Sequence, residues 1–218
     1  MQAHWLHKNT ESKILILFFA GFASHYTHYA HLDSKVNVLL LHDYTDFTFD
    51  FSFNIDLELE KYDLIYLVAY SMGVSIAARL PLQHIPFSSK IALSGTESGI
   101  DKLHGINPAI FRHTIKNLNI DDFKKAIFGE NLDGAKDFHF ASISHLKDEL
   151  QHIYDFCITT PYTPLTWDRI YIAKNDTLFL PQTCYKAFND NKHAICELAS
   201  WHYPFFAFDT WERLCAIS

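Results

Sequence analysis

A serine hydroxyl becomes a strong nucleophile when an imidazole takes its proton and a carboxylate orients the imidazole. The chain offers such a set in the order Ser71, Asp176, His202. Ser71 lies in Leu64-Ile65-Tyr66-Leu67-Val68-Ala69-Tyr70-Ser71-Met72-Gly73-Val74-Ser75-Ile76-Ala77-Ala78, where an apolar run passes straight into an Ala/Ile-rich segment. A buried strand that turns sharply into a helix at the serine strains the serine backbone and pushes Oγ out above a sheet. The usual pattern is G-x-S-x-G; here it reads A-x-S-x-G, with Ala69 in the place of the first glycine. An ordinary helix-capping serine fits the same local pattern, so the partners must decide.

Asp176 follows the run RIYIA, and His202 follows the run AICEL. Loops after strands are where the partners of such a serine belong, and the chain order serine, acid, histidine fits. Among 14 histidines, His202 stands out because it lies after the last strand-like run and before the last helix-like segment. Glu97, in Ser94-Gly95-Thr96-Glu97, is the serious rival to Asp176; Asp190 and Asp209 fall in helix-like or post-helix contexts. The oxyanion formed by attack needs two backbone N–H donors. Met72, just after the serine, offers one. Phe22, in Phe18-Phe19-Ala20-Gly21-Phe22-Ala23-Ser24, offers the other, with Gly21 letting the backbone bend close.

The elements that must position these residues are short apolar runs alternating with helix-like segments. The runs are ILILFF at 14–19, VNVLLL at 36–41, LIYLVA at 64–69, KIAL at 90–93, RIYIA at 169–173 and AICEL at 194–198. Continuous runs of this length suit strands buried on both faces of a parallel sheet. Helices are expected at 72–80, 181–188 and 204–214, the last two opening with Pro at the first helical position. The alternation is the α/β signature, with ligands at the carboxyl ends of the strands. No strand-like run appears from Thr96 to Thr166. Helices are expected from Asn107-Pro108 through Leu118, and at 121–128 closed by Gly129. A third is capped by Ser144, with Leu146, Leu150, Ile153, Tyr154 and Cys157 on one face. This reads as a helical lid insertion, 97–166, within a single domain, 1–218.

The chain has 218 residues, 49% apolar and 20% charged, with a net charge of −7. It is too apolar to be disordered, and the length suits one full-sized domain. Net acidity argues against non-specific nucleic-acid binding. None of Cys157, Cys184, Cys196 and Cys215 forms a CxxC pair, so no zinc site is signalled. No secretory pattern opens the chain, and no stretch of about 20 apolar residues could span a bilayer. The expectation is a cytoplasmic monomer with reduced thiols.

The sequence resembles the BioG-type pimeloyl-[acyl-carrier protein] methyl ester esterases, compact members of the α/β-hydrolase superfamily. The resemblance rests on Phe18-Phe19-Ala20-Gly21-Phe22, Val68-Ala69-Tyr70-Ser71-Met72-Gly73, Leu93-Ser94-Gly95-Thr96 and Gly105-Ile106-Asn107-Pro108-Ala109-Ile110-Phe111. It continues through Lys174-Asn175-Asp176 and Trp201-His202-Tyr203-Pro204-Phe205-Phe206. It implies an α/β-hydrolase fold with a mostly parallel sheet of six or seven strands. It implies removal of the methyl ester that masks the distal carboxylate of pimeloyl-[acyl-carrier protein], releasing methanol, with no metal or organic cofactor. Ser71 would be the nucleophile, Asp176 the orienter, His202 the base, and Phe22 and Met72 the oxyanion donors.

A carrier-bound substrate needs a docking surface, and Arg112, Lys116, Lys124 and Lys125 of the insertion offer a basic patch; an ordinary solvated helix face would look the same. Other readings stay open from the residues alone. One is a serine hydrolase for another acyl substrate, such as a thioester or a free ester. Another is a non-catalytic binding protein on a hydrolase scaffold. A nucleotide-binding protein is disfavoured by the absence of G-x-G-x-x-G and G-x-x-x-x-G-K-[ST] among only seven glycines.

Overall fold

The computed structural model describes residues 1–47 and 59–217. Among these residues seven strands form one sheet: β1 (Gln2–His7), β2 (Ile14–Phe19), β3 (Asn37–His42), β4 (Leu64–Tyr70), β5 (Phe87–Leu93), β6 (Arg169–Ala173) and β7 (Ile195–Leu198). Their order across the sheet is β1-β3-β2-β4-β5-β6-β7, with β1 antiparallel to β3 and every other pair parallel. In β2, Leu15, Leu17 and Phe19 face one core, and Ile16 and Phe18 face the other. The first core includes Val74 and Ile76 of α1 (Met72–Ala77). The second includes Trp211 and Leu214 of α6 (Trp211–Cys215), with Phe205 from the 3-10 turn Pro204–Ala207. Helices on both faces cover the inner strands, so these read as unbroken apolar runs. This is an α/β-hydrolase fold.

Six strands lie at the predicted runs, within a few residues. β1 was not anticipated. It is an edge strand, exposed or half-buried along its length, and it pairs with β3 alone, so its residues need not be apolar. The single helix expected at 204–214 is instead a 3-10 turn and the short α6. The chain opens between them because Asp33 pairs there: Asp33 N–H donates to Asp209 O (3.0 Å) and Trp211 N–H to Asp33 O (3.1 Å). The sheet ends with α5 (Pro181–Ala187) joining β6 to β7. No helix among the described residues is long and apolar enough to cross a membrane.

Between β5 and β6 runs a helical insertion: α2 (Pro108–Asn117), α3 (Ile120–Phe128), a 3-10 segment (Gly129–Ala135) and α4 (Ile143–Thr159). Asn107 and Asn119 cap α2 and α3. Ser142, not Ser144, caps α4, accepting from His145 N–H at 3.3 Å; Ser144 falls inside the first turn. Leu146, Leu150 and Ile153 of α4 join the first core, as the helical spacing requires.

Arg79 fastens both ends of this insertion to the segment that follows α1. Its guanidinium donates to Glu97 O (2.7 Å) and Ser98 O (3.2 Å), where the chain leaves the sheet. It also donates to Cys157 O (3.2 Å) and Thr160 O (2.9 Å), at the negative end of α4. Ser75 O and Oγ take two further bonds, at 2.9 and 2.6 Å. Arg79→Met keeps the aliphatic stem and leaves those carbonyls without donors. Stability should fall by about 3 kcal/mol, read from urea unfolding; a loss under about 1 kcal/mol would mean that water replaces the guanidinium.

Candidate active site

Ser71 stands between β4 and α1 at φ 56° and ψ −126°, a strained geometry for a residue with a side chain. Its N–H donates to Leu93 O of β5 at 2.9 Å. Two glycines permit the close packing. A Cβ on Gly73 would sit 2.2 Å from Phe19 O, and one on Gly95 would sit 2.2 Å from Ser71 O. Ala69, in place of the usual glycine, is fully buried between Phe19 of β2 and Ala92 of β5, where a methyl group fits. Ser71 makes no side-chain capping bond to α1, so it is not an ordinary helix cap. Its Oγ instead lies 2.9 Å from His202 Nε2.

His202 Nδ1 lies 2.7 Å from Asp176 Oδ2. An ionised carboxylate only accepts, so Nδ1 carries the hydrogen and Nε2 presents its lone pair to the Ser71 hydroxyl. The other carboxylate oxygen of Asp176 accepts from Leu178 N–H (2.8 Å) and Phe179 N–H (3.0 Å). Both oxygens are thus committed, and the carboxylate cannot rotate away. All three side chains are buried, at 6%, 3% and 2% exposure for Ser71, Asp176 and His202. Phe179 lies parallel to the imidazole, with ring centroids 6.1 Å apart, and Tyr70 tilts over it at 5.2 Å. Glu97 does not reach His202. Its Oε1 accepts from Leu165 N–H (2.6 Å) and Trp167 Nε1–H (2.9 Å), and it serves the return of the insertion to the sheet.

Beside Ser71 runs the turn after β2, with Gly21 so close that a Cβ there would meet Ser71 Cβ at 2.8 Å. Among the described residues, neither Phe22 N–H nor Met72 N–H has a protein acceptor. A cavity of about 240 Å³ adjoins Ser71 and His202. Its walls include Phe22 and Phe179 and, from the insertion, Phe111, Phe123, Ile127 and Leu150. Ile110 and Leu180, both more than half exposed, and Lys102 also line it, towards solvent.

Such an apolar chamber beside a buried serine, histidine and aspartate can cleave acyl esters, and the comparisons narrow the family. A family model described as pimeloyl-ACP methyl esterase BioG matches residues 1–214. The chain belongs to the BioG family. It is similar to the crystal structure of BioG from Haemophilus influenzae, with a TM-score of 0.84, 27% identity, and coverage of 98% of this chain and 99% of that one. A malonyl-[acyl-carrier protein] O-methyltransferase of Bacteroides fragilis is 31% identical over 199 residues, 88% of this chain. The chain spans only 40% of the length of that relative. A lipase-esterase related protein from Clostridium acetobutylicum shares the fold, with a TM-score of 0.63 at 18% identity, covering 92% of each chain.

On the BioG scaffold the four predicted docking residues lie on two helices of the insertion, Arg112 and Lys116 on α2 and Lys124 and Lys125 on α3. Arg112 donates to Tyr154 Oη at 2.7 Å, and Lys147 Nζ donates to Lys116 O at 2.8 Å, so α2 and α4 share that flank. Lys124 lies over the Phe140 ring at 4.9 Å, and Lys125 pairs with Asp122 at 3.5 Å. Lys102, on the cavity wall, was missed, as was Glu149. Glu149 is 2% exposed on α4 and accepts from Ala23 N–H and Tyr44 N–H, both at 3.2 Å. A carboxylate on the apolar stripe of Leu146, Leu150 and Ile153 was the signal that could have found it.

Burial pushes the Glu149 carboxyl up to about 8 from an ordinary value of 4.5. Between those limits the folded protein holds a proton that the unfolded chain has lost. The stability linked to this group is therefore present below pH 4.5 and lost as pH rises through 8. Burial lowers His28 to about 3 and His42 to about 4, and their opposite contributions are complete by about pH 7. From pH 7 to 8, the wild-type chain should therefore lose about 1 kcal/mol more unfolding free energy than Glu149→Gln. Urea unfolding at both pH values checks this; parallel curves would contradict the assigned ionisation.

Proposed function

We propose that the protein is a serine carboxylesterase that hydrolyses the methyl ester of pimeloyl-[acyl-carrier protein] to pimeloyl-[acyl-carrier protein] and methanol, in biotin synthesis. The observation that carries the chemistry is the unbroken hydrogen-bonded chain from Asp176 through His202 to Ser71 Oγ. Membership of the BioG family supports the substrate. The name of the Bacteroides fragilis relative adds to it, because an O-methyltransferase acting on a carrier-bound acid makes the kind of bond that this esterase breaks.

His202 Nε2 takes the Ser71 proton as Oγ attacks the ester carbonyl. The tetrahedral oxyanion rests on Phe22 N–H and Met72 N–H, both without a protein acceptor among the described residues. Asp176 holds the imidazole in one tautomer and steadies the imidazolium. His202 then protonates the departing methoxide, leaving an acyl-Ser71 ester. Water, deprotonated by His202, attacks that ester; collapse returns the proton to Ser71 and frees the carboxylate. No metal or organic cofactor enters these steps. The acyl chain lies in the apolar chamber, under a lid formed by 97–166. The carrier protein, an acidic partner, docks on the basic flank of Arg112 and Lys116, with Lys124 and Lys125 further along the insertion. The enzyme acts as a cytoplasmic monomer.

Ser71→Ala should lower kcat by at least about 10⁴-fold while leaving the fold intact. Intact-mass analysis of pimeloyl-carrier methyl ester should show a loss of about 14 Da, the difference between a methyl ester and an acid, with wild type and not with the variant. Substantial cleavage by the variant would defeat the assignment. Charge reversal at Arg112 and Lys116 should slow the carrier-bound substrate about tenfold more than a small free ester; equal slowing of both would remove the docking flank.

A further inference from the structure

Glu149 occupies a place where an apolar side chain would cost less. It sits on the buried stripe of α4, and a buried carboxyl is retained against a desolvation penalty. Its two oxygens bridge the ends of two neighbouring strands: Oε2 accepts from Ala23 N–H after β2, and Oε1 accepts from Tyr44 N–H after β3. Both donors lie where the backbone is left-handed without glycine, with Ala23 at φ 61° and Asp43, just before Tyr44, at φ 56°. Such conformations must be held in place by their surroundings.

The loop between β2 and the turn at Tyr26–Tyr29 has other hydrogen-bond anchors from the body of the domain, and its Phe22 and His25 rings also meet Phe123 and His139 of the insertion. Ala20 N–H donates to Leu41 O (2.9 Å), Tyr44 Oη donates to Ala20 O (2.7 Å), and His42 Nδ1 lies 3.1 Å from Ser24 O. None of these grips the peptide between Phe22 and Ala23. Glu149 does, and that peptide is joined through Phe22 Cα to the Gly21–Phe22 peptide, which carries the N–H read above as an oxyanion donor. The next residue of α4, Leu150, lines the acyl chamber. Behind Glu149 lies a second cavity of about 170 Å³, lined by His25, His42, Asp43, His139 and His145.

We propose that Glu149 is a positioning residue for ester cleavage, reaching from the helical insertion to hold the Phe22–Ala23 peptide and so aim the Phe22 N–H at the oxyanion. This rests on the esterase reading and on Phe22 as a donor. The insertion is then part of the oxyanion site as well as the roof of the chamber.

The test uses the full chain and a p-nitrophenyl ester, with kcat and KM measured separately for wild type, Glu149→Gln and Glu149→Met. Gln keeps the size but turns an N–H₂ towards one of the two N–H donors; Met fills the space and accepts from neither. Both variants should lower kcat by about tenfold or more, short of the roughly hundredfold loss of a whole donor, with KM within about twofold. Binding of a trifluoromethyl ketone, which forms an anionic adduct on Ser71, should weaken by a similar factor. A folded variant that keeps kcat within about twofold of wild type, or that loses activity through KM alone, overturns the proposal. If neither variant folds, amide exchange in the wild-type chain decides: protection at Ala23 supports the tie, and free exchange there overturns it. A wild-type chain that cleaves no ester would overturn the esterase reading itself, an outcome distinct from an active wild type that is indifferent to Glu149.

Discussion

The backbone of Ser71, at φ 56° and ψ −126°, stores strain of order 1–3 kcal/mol. It persists because its surroundings leave it nowhere else to go. Its N–H is tied to β5 through Leu93 O, and the strand ends around it are packed too tightly for a side chain on Gly73 or Gly95. The ends of β2, β4 and β5 therefore lock one another, and a slip in the register of any of them would release the serine. The rest of the architecture follows from that constraint. Parallel strands deliver all their outgoing loops to one edge, so the segments after β6 and β7 arrive beside the same serine, bringing Asp176 and His202.

The two candidate carboxylates show how environment assigns roles to like residues. Glu97 and Asp176 both follow strands; Glu97 is half-buried and Asp176 is buried. Glu97 is turned towards the returning arm of the insertion, where an amide and an indole N–H occupy one of its oxygens. Asp176 keeps one oxygen for its own loop and gives the other to imidazole. Local pattern could not separate them, because each choice of partner is set by contacts between segments distant along the chain.

The same distinction explains what could be read from the sequence and what could not. Strands buried on both faces announce themselves as runs such as ILILFF, and the serine, aspartate and histidine are found by their places after such runs. The polar edge strand β1 carries no such signal, since it pairs with one neighbour and is exposed or half-buried along its length. The break at Phe208–Thr210 was invisible for a similar reason: the backbone of Asp33, far away in sequence, supplies the bonds that a continuous helix would have made. Glu149 left a trace, a lone acid on an apolar stripe, but its partners Ala23 and Tyr44 are backbone groups that any sequence would contain.

The insertion has two joints of unlike chemistry. At Arg79 a guanidinium is seated among carbonyl dipoles, within electrostatic reach of Glu97. Mobile salt has little purchase on such a partly buried joint. At Glu149 the joint is a carboxyl whose proton is exchanged near neutrality. One joint of the insertion therefore keeps its charge while the other changes it. As solution becomes alkaline, the insertion keeps its attachment to the sheet while its grip on the turn after β2 is the part that changes.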